Sequence, residues 1–93
     1  MFVGVCQIAL LFPDCASLKD KRFVVSSVKT KIQNKFNVSI AEVEHNDLWQ
    51  RGVLGLALVT NEKKMVDQVF NKILELLYTE GRLEVLQHQI EIY

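Results

Sequence analysis

Apolar residues crowd the start of the chain, and from Phe2 to Leu11 only Gly4, Gln7 and Ala9 interrupt the Val, Ile, Leu, Phe and Cys side chains. A run of that length, closed by Pro13-Asp14, predicts a strand covered on both faces and central in its sheet. The period then changes. Leu18, Val25, Val28, Ile32 and Phe36 fall on one helical stripe, with Ser17 placed to cap the helix and Asp20 three residues further on,. Val38 to His45 mixes Val38, Ile40 and Val43 with Ser39, Glu42 and Glu44, the pattern of a partly exposed strand,. A connection through Asp47-Leu48-Trp49-Gln50-Arg51-Gly52 leads to a second continuously apolar run, Val53 to Thr60. Thr60 or Asn61 can cap a helix starting near Glu62, with Val66, Val69, Ile73, Leu76 and Leu77 as its stripe,. Gly81 stands where a left-handed residue would end that helix, and Leu83 to Tyr93 predicts a last strand with a bulge near Gln87-His88-Gln89,.

The predicted order is βαββαβ over residues 1-93, a single α+β domain of the ferredoxin-like type: a four-stranded antiparallel sheet with both helices on one face. Right-handed crossovers place the start of the first helix, the hairpin around Trp49 and the Gly81-Arg82 turn at one pole of the sheet. In the first and third strands both alternating sets are largely apolar, such as Leu54, Leu56 and Leu58 against Val53, Ala57 and Val59 in the third. One set must face away from the helices, so a homodimer or a partner protein on that open face is expected.

The chain has 93 residues, 49% hydrophobic and 24% charged, enough for one compact core and too short for two domains. Eleven basic residues balance eleven acidic ones, which excludes a uniformly basic nucleic-acid-binding composition and requires any such contact to be a local patch. Cys6 and Cys15 are too few for a disulfide framework, consistent with a reducing cytoplasm,. The first apolar run has no basic flank and is too short to span a bilayer, so no membrane association is expected.

Charge is nonetheless segregated. Between Ser17 and Lys35 there are six basic residues and one acid, a local charge of +5. Lys19, Lys21 and Arg22 open the helix, where its dipole prefers anions. One reading is an anion site for phosphate or RNA backbone built from the free helix N–H groups with Lys19, Lys21, Arg22 and Lys29, joined at the pole by Arg51 and an exposed Trp49 able to stack a base. The other is internal neutralisation by Asp14, Asp20, Glu42, Glu44 or Asp47, with Ser17 serving as a cap. Lys21 separates the two, because its helical angle sets it near the apolar stripe, where an ammonium must escape along its stem or meet a carboxylate.

No catalytic constellation is present. Glu42, Glu44, His45 and Asp47 look like metal ligands, but strict alternation would put Glu42 and Glu44 on one strand face and His45 on the other. His88 is a lone histidine, and neither a metal nor a cofactor is expected. The base-stacking aromatics of an RNA recognition motif are missing, with Phe2 alone on the first strand and none on the third,. Acylphosphatases are similar in length and order and in an Arg near the first helix, yet their phosphate loop is glycine-rich, whereas Phe12-Pro13-Asp14-Cys15-Ala16-Ser17-Leu18 holds no Gly,. A non-enzymatic binding protein is therefore expected, with a phosphatase-like hydrolase as a further alternative.

Ser17-Leu18-Lys19-Asp20-Lys21-Arg22, Lys35-Phe36-Asn37-Val38-Ser39-Ile40-Ala41-Glu42-Val43 and Asp47-Leu48-Trp49-Gln50 together resemble the YlxP-like family of small uncharacterised bacterial proteins. The resemblance covers nearly the whole chain. It implies a ferredoxin-like fold, a bacterial cytoplasmic protein, and a ribosome- or rRNA-associated role, since such proteins are often encoded near translation-initiation and ribosome-maturation factors. It supplies no catalytic residues. The alternative expectation is a homodimeric regulatory or scaffolding module that binds a protein or small ligand on the open face.

Overall fold

A computed structural model describes residues 1–93. The elements are β1 (Phe2–Leu11), α1 (Leu18–Lys35), β2 (Ser39–Glu44), β3 (Arg51–Thr60), α2 (Lys63–Tyr78) and β4 (Glu84–Ile92). They form the expected ferredoxin-like α+β fold, with sheet order β2-β3-β1-β4 and every neighbouring pair antiparallel. The two continuously apolar runs are indeed the central strands.

The pleat divides β1 cleanly. Cys6, Ile8 and Leu10 point to the helices, as do Leu54, Leu56 and Leu58 of β3, and these six are buried with α1 and α2 side chains in one core of 19 residues. Each large aliphatic or aromatic side chain placed there contributes about 1.5–3 kcal/mol of transfer free energy. Gly4 is the point of closest approach between β1 and α2: a Cβ there would lie 2.5 Å from Val66 Cγ1 and 3.1 Å from Phe70 Cε2.

Four details differ from the sequence reading. The buried stripe of α2 is Val66, Phe70, Ile73, Leu74 and Leu77, so Phe70 and Leu74 take the places expected of Val69 and Leu76. Glu62 occupies the N-cap of α2 without a side-chain bond, while Thr60 Oγ1 accepts from its N–H at 3.1 Å. Gly81 is not left-handed. The Glu80 carboxylate instead organises that exit, accepting from Arg82 N at 3.2 Å while Leu83 N bonds Glu80 O at 3.4 Å, so no positive φ is required. The left-handed residue is His45, at φ 60, which starts the β2–β3 turn.

The fourth detail is a pair of bulges. On β4 the pairing with β1 passes from Gln87 to Val85, leaving Leu86 as the extra residue, one position before the expected site. On β2 it passes from Glu42 to Glu44, leaving Val43 extra. Gly55 makes that bulge possible, because a Cβ on it would meet Val43 Cγ1 at 2.9 Å. Since Glu42 pairs with Leu54 and Glu44 with Val53, the two carboxylates lie on opposite faces. Simple alternation fails there.

Candidate functional site

Ser17 and Asp20 close the start of α1. Ser17 Oγ accepts from Asp20 N at 3.1 Å and Asp20 Oδ2 accepts from Ala16 N at 3.0 Å, a reciprocal cap that satisfies donors the helix would otherwise leave open. A carboxylate of the chain itself thus sits beside that end, while the first-turn N–H groups of Leu18 and Lys19 have no acceptor within the chain.

Lys21 is also not an exposed anion contact. It is 0% exposed, and its Nζ donates to His45 O at 2.8 Å and Arg51 O at 3.2 Å, with Glu42 Oε2 at 2.9 Å. Its helical angle puts the stem in the apolar stripe, and the ammonium donates two hydrogen bonds to carbonyls flanking the β2–β3 turn and lies in ion-pair range of Glu42,. Glu42 Oε2 is buried and accepts no hydrogen bond, so the adjacent cation is what offsets its desolvation,. Gly52 leaves room for the carboxylate, a Cβ there lying 3.0 Å from Oε2. The Lys21–Glu42 pair fastens α1 to the hairpin and fixes the left-handed turn at His45.

A second internal cluster joins α1 to the turn after α2. Arg82 donates to Glu80 through Nε at 2.8 Å and Nη2 at 3.1 Å, and to Ser27 Oγ at 3.0 Å, while Lys31 Nζ reaches Glu80 Oε2 at 3.3 Å. The Arg82 hydrogen bonds above all hold the Glu80 carboxyl down at about 2, well below its ordinary 4.5,. Neither residue was a sequence candidate. The Gly81-Arg82 turn lies at the expected pole, but charge pairing across about fifty positions has no sequence signature.

Internal neutralisation thus accounts for Lys21 and Lys31 only. Lys19, Arg22, Lys29 and Lys35 of α1 have no carboxylate within 4.0 Å, and Arg51 is equally unpaired. Arg22 and Lys29 line a groove between α1 and β2 together with Ser26, Thr30 and Gln33, with the neutralised Glu42 at its base. Lys19 does not line that groove: it borders a neighbouring hollow with Asp14, Cys15, Asp20 and Arg82, within about 80° of Arg22 and Lys29 around the helix and about 15 Å from Lys29 along its axis.

Trp49 and Arg51 are not brought to that groove. Trp49, 54% exposed, lies with Leu11, Asp47, Leu48, Gln50 and Arg51 around a separate hollow at the hairpin. The stacking aromatic and the helix cations share a pole of the sheet but no concavity. The Glu42, Glu44, His45, Asp47 set does not converge, and no group of three or more His, Cys, Asp or Glu side chains is arranged to hold a metal. Burial pushes the Cys6 thiol up to about 11, which keeps it protonated and unreactive. No helix is long and apolar enough to cross a membrane.

On the side away from the helices, Val3, Val5, Ala9, Ala57 and Val59 form an apolar band interrupted in its middle by Gln7 and edged by Ser39, Gln87, Gln89 and Glu91. Val59 is 66% exposed. The band is built of small side chains, a shallower surface than the alternation alone implied.

Comparison with known proteins places the chain in a family. A model described as "Protein of unknown function (DUF503)" matches residues 3–90. The uncharacterized protein YlxP of Bacillus subtilis (strain 168) is 35% identical over 82 residues, covering 88% of this chain and 89% of YlxP. Among solved structures, the de novo designed protein Foldit4 superimposes with a TM-score of 0.57 at 9% identity, over 100% of this chain and 97% of the designed one. That last likeness concerns the fold alone.

Proposed function

The chain belongs to the DUF503 family of proteins of unknown function, and from its own surface we propose that it is a non-enzymatic binding protein whose α1 face contacts RNA, in the setting of a ribosomal subunit. One observation carries the reading. In a chain of zero net charge, two α1 cations are neutralised internally and four are left without a carboxylate partner.

The spread of those cations favours a polymer over a small phosphate. Lys19, Arg22 and Lys29 extend over about 15 Å, too far for one phosphate group to touch both ends, whereas successive phosphates of a strand can meet them in turn. Ser26, Thr30 and Gln33 between them supply hydrogen-bonding groups suited to phosphate and sugar oxygens,. Lys21 belongs to the scaffold in this reading, and it is removed from the contacting set.

The test uses purified protein with ribosomal subunits or rRNA at several salt concentrations. Binding that weakens steeply with salt is expected, and the joint Lys19→Ala, Arg22→Ala and Lys29→Ala variant is expected to flatten the log-affinity against log-salt slope by about 2 to 3. An unchanged slope overturns the proposal. A second reading rests on the exposed Val59 and the apolar band around it: a regulatory or scaffolding module holding a protein or small ligand on the open face. Val59→Glu would abolish partner recovery in that case and leave RNA binding unaltered.

A further inference from the structure

The sheet has two edges, and they are unlike. β2 is six residues long, broken by the Val43 bulge, and bears Glu42 and Glu44. Shortness, a bulge and charge are the usual devices that keep an edge from pairing with another chain. β4 runs for nine residues, Glu84–Ile92, with no Pro and no Lys, and its centre is the uncharged Gln87-His88-Gln89. Its bulge at Leu86 lies near the start, so Gln87 to Tyr93 is a regular stretch.

The hydrogen-bond phase of that stretch is fixed. Val3 and Tyr93 exchange both backbone bonds, at 2.9 and 2.8 Å. In an antiparallel pair, exchanging and non-exchanging positions alternate. Glu91 and Gln89 therefore turn their backbone groups toward β1, and Ile92, Ile90 and His88 turn theirs outward from the sheet. Three successive outward N–H and C=O pairs are left as a template.

We propose that a second copy of this chain pairs antiparallel along β4, about a two-fold axis at Ile90, to make one continuous eight-stranded sheet. In this register Ile90 faces Ile90 of the partner copy and His88 faces Ile92, all at exchanging positions, so the outward groups of both strands are satisfied together. Gln89 faces Glu91 of the partner copy on the open side, an amide donor against a carboxylate, and the two-fold repeats that match. Gln87 faces Tyr93. No two acids stand directly opposite one another, and Ile90 and Ile92, which already pack against the core, extend it across the junction. Such a contact is isologous and closed, which gives a dimer and no fibre.

The test is the oligomeric state of the full chain by analytical ultracentrifugation over a range of concentrations. A dimer is expected. His88→Pro removes an outward N–H that β1 does not use, so it is expected to give a folded monomer with a nearly unchanged melting temperature. Gln89→Glu puts a carboxylate against Glu91 of the partner copy and is expected to weaken the dimer, while Gln89→Lys tightens it; this pair of variants decides the matter even if the proline variant fails to fold. Val59→Glu on the open face leaves the dimer intact. A protein that stays monomeric at millimolar concentration overturns the proposal. So does a dimer that Val59→Glu dissociates and the Gln89 variants do not shift. RNA binding is read separately and decides nothing here.

Discussion

Replacing Lys21 with methionine keeps the stem packing and takes away the cation, leaving Glu42 Oε2 buried without compensation. A loss of about 3 kcal/mol in urea unfolding is expected. Lys21→Met with Glu42→Leu recovers part of it, because no orphaned charge is left, although the carbonyls of His45 and Arg51 still lose a donor. An equal loss in single and double variants would show that the pair itself carries little. Much of this was legible: the helical angle of Lys21 demanded a carboxylate or an escape route. Which carboxylate was not legible, since five acids crowd the same pole and the Val43 bulge decides that Glu42 turns toward the helix. Glu80 makes a pH prediction at the same scale. Its folded value of about 2 lies below the ordinary 4.5, so its pairing with Arg82 and Lys31 stabilises the fold fully above 4.5 and is lost as pH falls through about 2. The stability gap between the natural chain and Glu80→Gln is expected to be constant above that window and to close across it; a gap that widens toward acid contradicts the assignment.

Elements were the easiest scale to read, because a period of two against one of 3.6 survives in the sequence whatever the partners are. The six elements fall within two residues of their expected ends. What periodicity cannot register is a match between elements. The stripe of α2 is rotated onto Phe70 and Leu74 because Gly4 lets the helix approach β1 closely, and the bulges at Val43 and Leu86 exist only in relation to their paired strands. Gly4→Ala tests that approach. With Val66 Cγ1 2.5 Å from the added methyl, α2 must shift away from β1, and a loss of about 1–3 kcal/mol by thermal or urea unfolding is expected. A neutral effect would mean that the β1–α2 spacing adjusts freely.

Over the whole molecule, balanced charge conceals an uneven distribution. Acids and bases cancel in number, yet the carboxylates at the pole serve as a helix cap, a buried counter-ion or nothing at all, and the Lys19, Arg22 and Lys29 side of α1 is left uncompensated. The sequence exposed the +5 of the helix but not its division into scaffold and surface, which depends on burial. Trp49 illustrates the same limit: nearness to cations in the chain did not become nearness in space. The most direct test of the RNA reading is co-sedimentation with ribosomal subunits at low and moderate salt, comparing the natural chain with the Lys19→Ala, Arg22→Ala and Lys29→Ala variant. The account predicts association at low salt that falls steeply at the higher salt and is largely absent in the variant. Association indifferent to salt and to the three substitutions, or none at low salt, would contradict it.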